Sequence, residues 1–234
     1  MLDSFFYFNN FPCGKETTLH PMKENELDYL KSLFPFISPE QENQFSALPQ
    51  LYKEWNERIN VISRKDIDNI FPHHILHSLA VGKVFPFLEG SNILDIGTGG
   101  GFPGIPLAIL FPKCNFRLVD RTAKKIKVVN AVKQALNLQN VCAEQKAAED
   151  IKEKYDFIVS RAVTNMEDFL KISKNKMLKE NRHNKKNGIL YLKGTDAYEE
   201  MSDYKGFYEI FNLKNIFTDP YFETKCLVYI ALNK

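Results

Sequence analysis

The sequence has few of the features that would assign it to a membrane, secreted or zinc-binding class. Its four cysteines form no Cys-x-x-Cys pair, so zinc or dithiol chemistry has no support. No apolar run approaches the roughly 18 residues that a membrane-spanning helix needs. The N-terminus has no basic residue before its short aromatic run, unlike a signal peptide. We therefore expect a cytoplasmic protein with reduced thiols, no membrane partner and no metal.

The chain also has little net charge. It carries 31 basic and 29 acidic residues, so its formal net charge is +2. This balance neither implies nor excludes a nucleic-acid partner, and the local distribution of charge has to be considered instead. The length of 234 residues suits one sizeable domain with a small appendage, and we expect a monomer.

The sequence lacks the zinc motif His-Glu-x-x-His, although His73 and His77 lie four positions apart in a predicted helix. No carboxylate or cysteine stands at a supporting spacing, so we expect these histidines to face solvent or substrate. Five side chains either contact phosphate or belong to an ordinary solvated face, and the sequence leaves both interpretations open: Arg58, Arg64, Lys65, His73 and His74.

One stretch combines a short apolar run, an acid and glycines that alternate with small residues. Gly99, Gly101 and Gly104 fit the Gly-x-Gly-x-x-Gly pattern of dinucleotide-binding proteins. Asp95, Gly97, Gly99 and Gly101 fit the Asp-x-Gly-x-Gly-x-Gly pattern of S-adenosylmethionine-dependent methyltransferases. Both patterns predict a buried strand, a glycine turn and the start of a helix, with a nucleotide-like cofactor lying across the turn.

The chain around this stretch predicts an α/β fold. Residues 22–90 have helical spacing, and from residue 92 onward short apolar runs alternate with helical ones, which is typical of a mostly parallel sheet. The last two strands form a hairpin, so one of them is expected to run antiparallel. We expect an unassigned N-terminal extension at 1–21, a helical region at 22–90 and a cofactor-binding domain at 91–234. The predicted strands of this domain are 93–96, 116–120, 141–145, 155–162, 188–194, 207–217 and 225–232. Its predicted long helices are 124–138 and 166–177.

Two features favour S-adenosylmethionine over a dinucleotide. Asp120 lies 19 positions after Gly101 and suits a ribose hydroxyl of either cofactor. Asp95, however, suits the cationic methionine moiety better than a pyrophosphate. The chain after Arg161 is also too short for a second nucleotide-binding half and a substrate domain. Under this interpretation Gly104 belongs to the start of the helix and does not contact phosphate.

Several motifs together are similar to one family, the ribosomal RNA small subunit methyltransferase G family, also called glucose-inhibited division protein B. The matching segments are Tyr52-Lys53-Glu54-Trp55-Asn56, Asn60-Val61-Ile62-Ser63-Arg64, His74-Ile75-Leu76-His77-Ser78-Leu79, residues 94–107 with their Phe102-Pro103-Gly104-Ile105-Pro106 extension, Leu118-Val119-Asp120, Ala148-Glu149, Val159-Ser160-Arg161-Ala162 and Leu192-Lys193-Gly194. The resemblance implies a Rossmann-like class I methyltransferase sheet and methyl transfer from S-adenosylmethionine to N7 of a guanine in 16S ribosomal RNA.

The resemblance also implies roles for individual residues. Phe102, Ala148 and Glu149 are expected to line the cofactor pocket, and Arg161 to lie where cofactor and substrate meet. Alternatively, Arg161 forms a salt bridge that ties strand ends together. The chain departs from the family pattern at His73, where arginine is usual, at His77, where aspartate is usual, and at Ala147, where arginine is usual. These departures concern the RNA contacts more than the cofactor.

Guanine N7 has a lone pair and no proton, so its methylation needs no general base, and positioning supplies most of the catalysis. No Asn-Pro-Pro-Tyr motif for exocyclic amines follows the predicted fourth strand, which agrees with this chemistry. We expect 16S rRNA or the 30S subunit as partner. The residues expected to contact RNA are Arg58, Arg64, His74, Arg121, Lys124, Arg182, Lys185 and Lys193. A regulator that binds S-adenosylmethionine, or a methyltransferase acting on a small molecule or protein, is the alternative.

Overall fold

The structure of the protein, a computed structural model, describes residues 22–161 and 164–232. The predicted extension at 1–21 lies outside the described residues, as do Ala162 at the end of the predicted fourth strand and the last two positions of the predicted domain 91–234. Among the described helices, none combines the length and the apolar character needed to cross a membrane.

The described chain is built around a seven-stranded sheet with the order β3-β2-β1-β4-β5-β7-β6. Strands β1 to β5 pair in parallel, and β7 lies antiparallel between β5 and β6. The strands are β1 (Asn92–Ile96), β2 (Asn115–Asp120), β3 (Val141–Gln145), β4 (Phe157–Arg161), β5 (Gly188–Gly194), β6 (Tyr208–Asn212) and β7 (Lys225–Ala231). This arrangement confirms the predicted sheet, mostly parallel with an antiparallel strand from a C-terminal hairpin.

Helices cover both faces of the sheet. They are α1 (Glu24–Leu33), α2 (Pro39–Asn56), α3 (His77–Val84), α4 (Gly104–Leu110), α5 (Ala123–Ala135), α6 (Met166–Ser173) and α7 (Ala197–Met201). A π-helical segment, Phe71–Leu76, leads directly into α3. Helices α1 to α5 pack against one face in a single hydrophobic cluster, whereas α6 and α7 pack against the other.

Helix α2 begins with two reciprocal hydrogen bonds between Ser38 and Gln41. The Ser38 hydroxyl accepts a hydrogen bond from the Gln41 backbone N–H at 3.3 Å, and the Gln41 side chain accepts one from the Ser38 N–H at 2.8 Å. Pro39 occupies the first turn, where its missing N–H costs nothing. The Gln41 amide also donates to the carbonyls of Ile109 and Leu110, at 2.6 and 3.1 Å. This side chain therefore starts α2 and, through the end of α4, fixes α2 against the sheet domain.

Candidate functional site

The glycine turn lies between β1 and α4, at the edge of the sheet where the parallel strands have their carboxyl ends. Gly97, Gly99 and Gly101 have φ values of 67°, 59° and 103°, a region that glycine adopts at little cost. A methyl group placed on Gly99 would meet no atom within 4 Å. The turn therefore leaves free space over Gly99, where a ligand can approach the backbone.

Gly101 and Gly104, the other two glycines of the Gly-x-Gly-x-x-Gly pattern, are required by packing. A Cβ atom on Gly101 would lie 2.7 Å from Ile105 Cγ1 and 2.9 Å from the Tyr52 hydroxyl. A Cβ atom on Gly104 would lie 2.6 Å from Asp95 Oδ2. Helix α4 begins at Gly104. The preference for S-adenosylmethionine likewise predicted that Gly104 belongs to the start of this helix.

Asp95 lies beneath the turn and is fully buried. Its Oδ2 accepts hydrogen bonds from the Thr98 hydroxyl at 2.6 Å and the Gly104 N–H at 2.9 Å, so the carboxylate holds the turn and the start of α4. Burial raises the pKa of Asp95 to about 7. In the structure Asp95 shapes the turn. The cofactor contact expected from the sequence stays a prediction.

Asp120 lies beside the turn, at the end of the neighbouring strand β2. Its Oδ2 accepts the Gly99 N–H at 3.0 Å, and its Oδ1 accepts the Thr122 N–H at 2.8 Å. The Asp120 carbonyl also accepts the Lys146 N–H at 3.1 Å, which brings the segment after β3 to the same place. Ala148 is buried in that segment, and exposed Glu149 pairs with Arg121 at 2.5 Å. The structure therefore brings together the predicted glycine, ribose and Ala-Glu positions.

Two aromatic rings support the turn from the side of α2. The Tyr52 hydroxyl donates to the Gly100 carbonyl at 2.7 Å, and its ring centroid lies 4.6 Å from that of Phe102. Both rings are buried, and burial raises the pKa of Tyr52 above its ordinary value. Sequence reasoning did not assign Tyr52 to the site. The contact spans 48 positions, so no local pattern indicates it. The one signal in the sequence was the place of Tyr52 in the Tyr-Lys-Glu-Trp-Asn segment that resembles the family.

Arg161 ends β4, the strand next to β1, and its guanidinium lies 5.2 Å from the centroid of the Phe102 ring. Nη1 donates to the His73 carbonyl at 3.1 Å, and Nη2 donates to His74 Nδ1 at 3.0 Å. Burial lowers the pKa of Arg161, but an arginine in a protein keeps its charge. Its partners are a carbonyl and an imidazole, so within the described residues it does not form the salt bridge between strand ends considered above.

Two adjacent histidines share one carboxylate beside Arg161. Asp66 Oδ1 lies 2.5 Å from His73 Nδ1, and Asp66 Oδ2 lies 2.7 Å from His74 Nε2. Burial, reinforced by the charge of Arg161, lowers the pKa of His74 to about 4, so its imidazole is neutral at pH 7. Within the ranges 22–161 and 164–232, no three side chains of the metal-binding types are grouped in a way that could hold a metal ion.

Four of the predicted RNA contacts surround the same edge of the sheet. Arg58 and Arg64 are exposed in the connection after α2, and Arg121 and Lys124 are exposed after β2. The connection touches the turn directly, because a Cβ atom on Gly100 would lie 2.9 Å from Val61 Cβ. These four cations are therefore available on either side of the free space over Gly99.

Of the other predicted RNA contacts, His74 lies beside the turn against Arg161, whereas Arg182, Lys185 and Lys193 are not exposed at this edge. Arg182 donates to the Glu89 carbonyl at 2.6 Å, just before β1, and Lys185 pairs with Glu209 at 2.5 Å, at the start of β6. Both lie at the opposite edge of the sheet, where Lys185 lines a groove of about 800 Å³ between α6, the start of β6 and the end of β7. Lys193 ends β5 at the correct edge, but it is buried in an ion pair with Glu200. The spacing of these residues in sequence did not reveal which edge each would occupy.

Comparisons with known proteins agree with this geometry. A family model described as GidB, rRNA small subunit methyltransferase G, matches residues 41–219. The chain is 55% identical over 206 residues to ribosomal RNA small subunit methyltransferase G of Flavobacterium johnsoniae, covering 88% of this chain and 98% of the relative. The same protein of Flavobacterium psychrophilum is 55% identical over 199 residues, with 85% and 95% of the two chains covered.

A solved structure supports the fold alone. The structure of M. jannaschii TYW2 in complex with AdoMet superposes on 74% of this chain and 78% of that chain, with a TM-score of 0.51 and 16% sequence identity. The seven-stranded sheet is thus of the Rossmann-like kind found in methyltransferases.

Proposed function

Because the chain belongs to the rRNA small subunit methyltransferase G family, we propose that it transfers a methyl group from S-adenosylmethionine to N7 of a guanine in 16S ribosomal RNA, in the cytoplasm. One observation carries the proposal: the open glycine turn has Asp120 on one side and Arg161 on the other. The acid suits a ribose, and the cation suits a nucleotide base or phosphate, so cofactor and substrate would meet over Gly99.

The residues beside the turn fit S-adenosylmethionine. The free space at Gly99 allows the methionine moiety to approach the backbone of Gly97, Gly99 and Gly101. Each Asp120 oxygen accepts one backbone N–H and has a further lone pair for a ribose hydroxyl. Ala148 and Glu149 follow on the adenosine side, and Phe102 supports the turn from below. The cofactor supplies the electrophilic methyl group.

The reaction needs alignment and no proton transfer. Guanine N7 attacks the methyl carbon with its lone pair, the carbon–sulfur bond breaks, and that bond's electrons remain on sulfur. The base becomes cationic, and the sulfonium becomes a neutral thioether. Both ring nitrogens of His74 are engaged, by Asp66 and Arg161, so this histidine is not available as a general base, and the step needs none. Alignment of the reacting atoms is then the main contribution of the protein.

Arg161 is suited to orienting the guanine. Arginine has five N–H donors, and in the described residues two acceptors, the His73 carbonyl and His74 Nδ1, engage two of them. Guanine presents O6 beside N7, and arginine is the side chain that most often contacts this edge. A hydrogen bond to O6 leaves N7 free to attack. The same donor meets an amino group on adenine and therefore disfavours that base.

RNA binding is assigned to the exposed cations around this edge, Arg58, Arg64, Arg121 and Lys124. Phosphate contacts of this kind hold RNA in place but carry little sequence information. Arg182, Lys185 and Lys193 are left out of the proposed interface, because they lie at the opposite edge or are buried.

The test is incubation of the purified protein with methyl-labelled S-adenosylmethionine and, separately, 30S subunits, free 16S rRNA or a small-molecule extract. We expect label in 16S rRNA. Label confined to the small-molecule fraction would overturn the RNA assignment. Tight cofactor binding without label in any fraction would indicate a regulator.

A further inference from the structure

Asp66 holds both residues that bind Arg161, although it lies 95 positions away from it in sequence. Its two carboxylate oxygens each contact one histidine, at 2.5 and 2.7 Å. The His73 carbonyl and His74 Nδ1 each accept a hydrogen bond from Arg161. We propose that Asp66 is a positioning residue for methyl transfer, which fixes the Arg161 guanidinium beside the glycine turn through His74. This inference rests on the proposed function.

His74 is held as one tautomer between Arg161 and Asp66. An arginine only donates hydrogen bonds, so His74 Nδ1 has to accept from Arg161 and carries no proton. A neutral imidazole then has its proton on Nε2, the atom that faces Asp66 Oδ2. The Asp66 carboxylate only accepts, so it selects this tautomer. If the carboxylate were lost, the other tautomer would become accessible, and its Nδ1–H would point at an N–H of Arg161.

His73 provides the second contact. Its Nδ1 lies against Asp66 Oδ1, its ring stacks on Tyr221 with centroids 3.9 Å apart, and its carbonyl accepts from Arg161 Nη1. The histidine backbone is therefore fixed at the point where Arg161 binds. Burial acts to raise the pKa of Asp66, but the hydrogen bonds from both histidines lower it below its ordinary value. The carboxylate is consequently ionised, and thus acceptor-only, at neutral pH.

The segment that carries Asp66 is itself well ordered by hydrogen bonds. The Asp66 N–H donates to the Ser63 carbonyl at 2.8 Å, and the Asp66 carbonyl accepts the Asn69 N–H at 3.0 Å. Upstream, the Asn56 side chain accepts the N–H groups of Val61 and Ile62, at 2.8 and 2.9 Å. Asp66 therefore acts from a fixed backbone, as a positioning residue must.

Two consequences follow for the reaction. A displaced Arg161 would misalign guanine N7 with the methyl carbon and so lower kcat. The cofactor contacts at Gly99 and Asp120 would stay intact. The negative charge of Asp66 also offsets the positive charge of Arg161 close to where the methylated base becomes cationic. Both effects act on the chemical step, so Asp66 should affect kcat much more than the KM for S-adenosylmethionine.

The experiment compares Asp66→Asn with the matched control Asp68→Asn. Asp68 lies two positions away and is highly exposed, paired at 3.1 Å with half-buried Lys53. With 30S subunits as substrate, Asp66→Asn should lower kcat about 10²-fold and change the KM for S-adenosylmethionine less than about threefold. Asp68→Asn should match the wild type. In ¹⁵N NMR spectra, His74 should be the Nε2–H tautomer in the wild type and in Asp68→Asn, but should lose that preference in Asp66→Asn.

A double-mutant cycle separates positioning from a structural role. If Asp66 acts through Arg161, Asp66→Asn should cause no further loss of kcat in an Arg161→Ala background. Should Asp66→Asn fail to fold, His74→Gln, which keeps one donor and one acceptor, should retain more activity than His74→Leu. Wild-type kcat in Asp66→Asn, additive losses in the cycle, or equal activities of the two His74 variants would overturn the inference. A wild-type protein that labels no RNA would instead overturn the proposed function, and the NMR comparison would still test the geometry.

Discussion

The buried carboxylate of Asp95 should make the stability of the protein depend on pH in an unusual direction. Burial raises its pKa from an ordinary value of 3.8 to about 7. The unfolded chain therefore releases this proton near pH 4, whereas the folded protein keeps it until about pH 7. Stability contributed by the protonated form is fully present below pH 4 and is lost as the pH rises to 7.

We predict that Asp95→Asn removes this dependence. Measured by urea unfolding, the difference in unfolding free energy between wild type and variant should change on the order of 4 kcal/mol between pH 4 and pH 8. The exposed control Asp68→Asn should show no such change. A constant difference across this range would mean that Asp95 does not titrate as its burial implies.

The glycines of the turn should respond differently to alanine. Gly99→Ala adds a methyl group in open space at a φ of 59°, so it should cost about 1–2 kcal/mol in stability and weaken S-adenosylmethionine binding. Gly101→Ala meets Ile105 and the Tyr52 hydroxyl at under 3 Å, so it should mainly unfold the protein. Thermal denaturation and calorimetric titration with the cofactor separate the two effects. Equal losses of stability would contradict this distinction.

At the scale of elements, α2 supports the turn through one hydrogen bond. Tyr52→Phe keeps the ring against Phe102 but leaves the Gly100 carbonyl without its donor. We expect a loss of about 1–2 kcal/mol in stability and a weaker affinity for S-adenosylmethionine. Tyr198→Phe, which alters a partly exposed hydroxyl on α7, is the control. Unchanged cofactor affinity in Tyr52→Phe would show that the turn keeps its shape without this contact.

The sequence predicted the strands better than the ends of the helices. Apolar runs bounded by turns mark buried strands, and all seven predicted strands are present, although several differ in length. Helix α6 ends at Ser173 and not at Met177, because Met177 pairs with Tyr155 beside the sheet. Helix α7 was not predicted. Its Glu200 forms an ion pair with Lys193 and accepts a hydrogen bond from the Met166 N–H at the start of α6. Such tertiary contacts leave no periodic pattern in the sequence.

The candidate site was predictable where it is local in sequence. The glycine turn and Asp120 each follow a strand, and parallel strands bring their carboxyl ends together. The contacts among Asp66, His74 and Arg161 were not predictable, because they join positions 87 apart and depend on a histidine tautomer. The burial of Asp95 was not predictable for a similar reason, since it depends on how α4 packs on β1.

At the scale of the whole molecule, the two edges of the sheet should differ in their contribution to RNA binding. Reversing charge at both Arg58 and Arg64, beside the turn, should weaken binding to 30S subunits and reduce the slope of log affinity against log salt by about 2. The double charge reversal of Lys174 and Lys186, both exposed at the opposite edge, is the matched control and should bind as the wild type does. A comparable loss in both variants would extend the interface to the groove beside α6.

Methyl transfer to guanine N7 in 16S rRNA is tested by the identity of the methylated nucleoside. The protein is incubated with methyl-labelled S-adenosylmethionine and 30S subunits that lack this modification, and the 16S rRNA is digested to nucleosides and separated. We expect the label in 7-methylguanosine. Label in a methylated adenosine, in a base methylated on an exocyclic amine, or in ribosomal protein would contradict it.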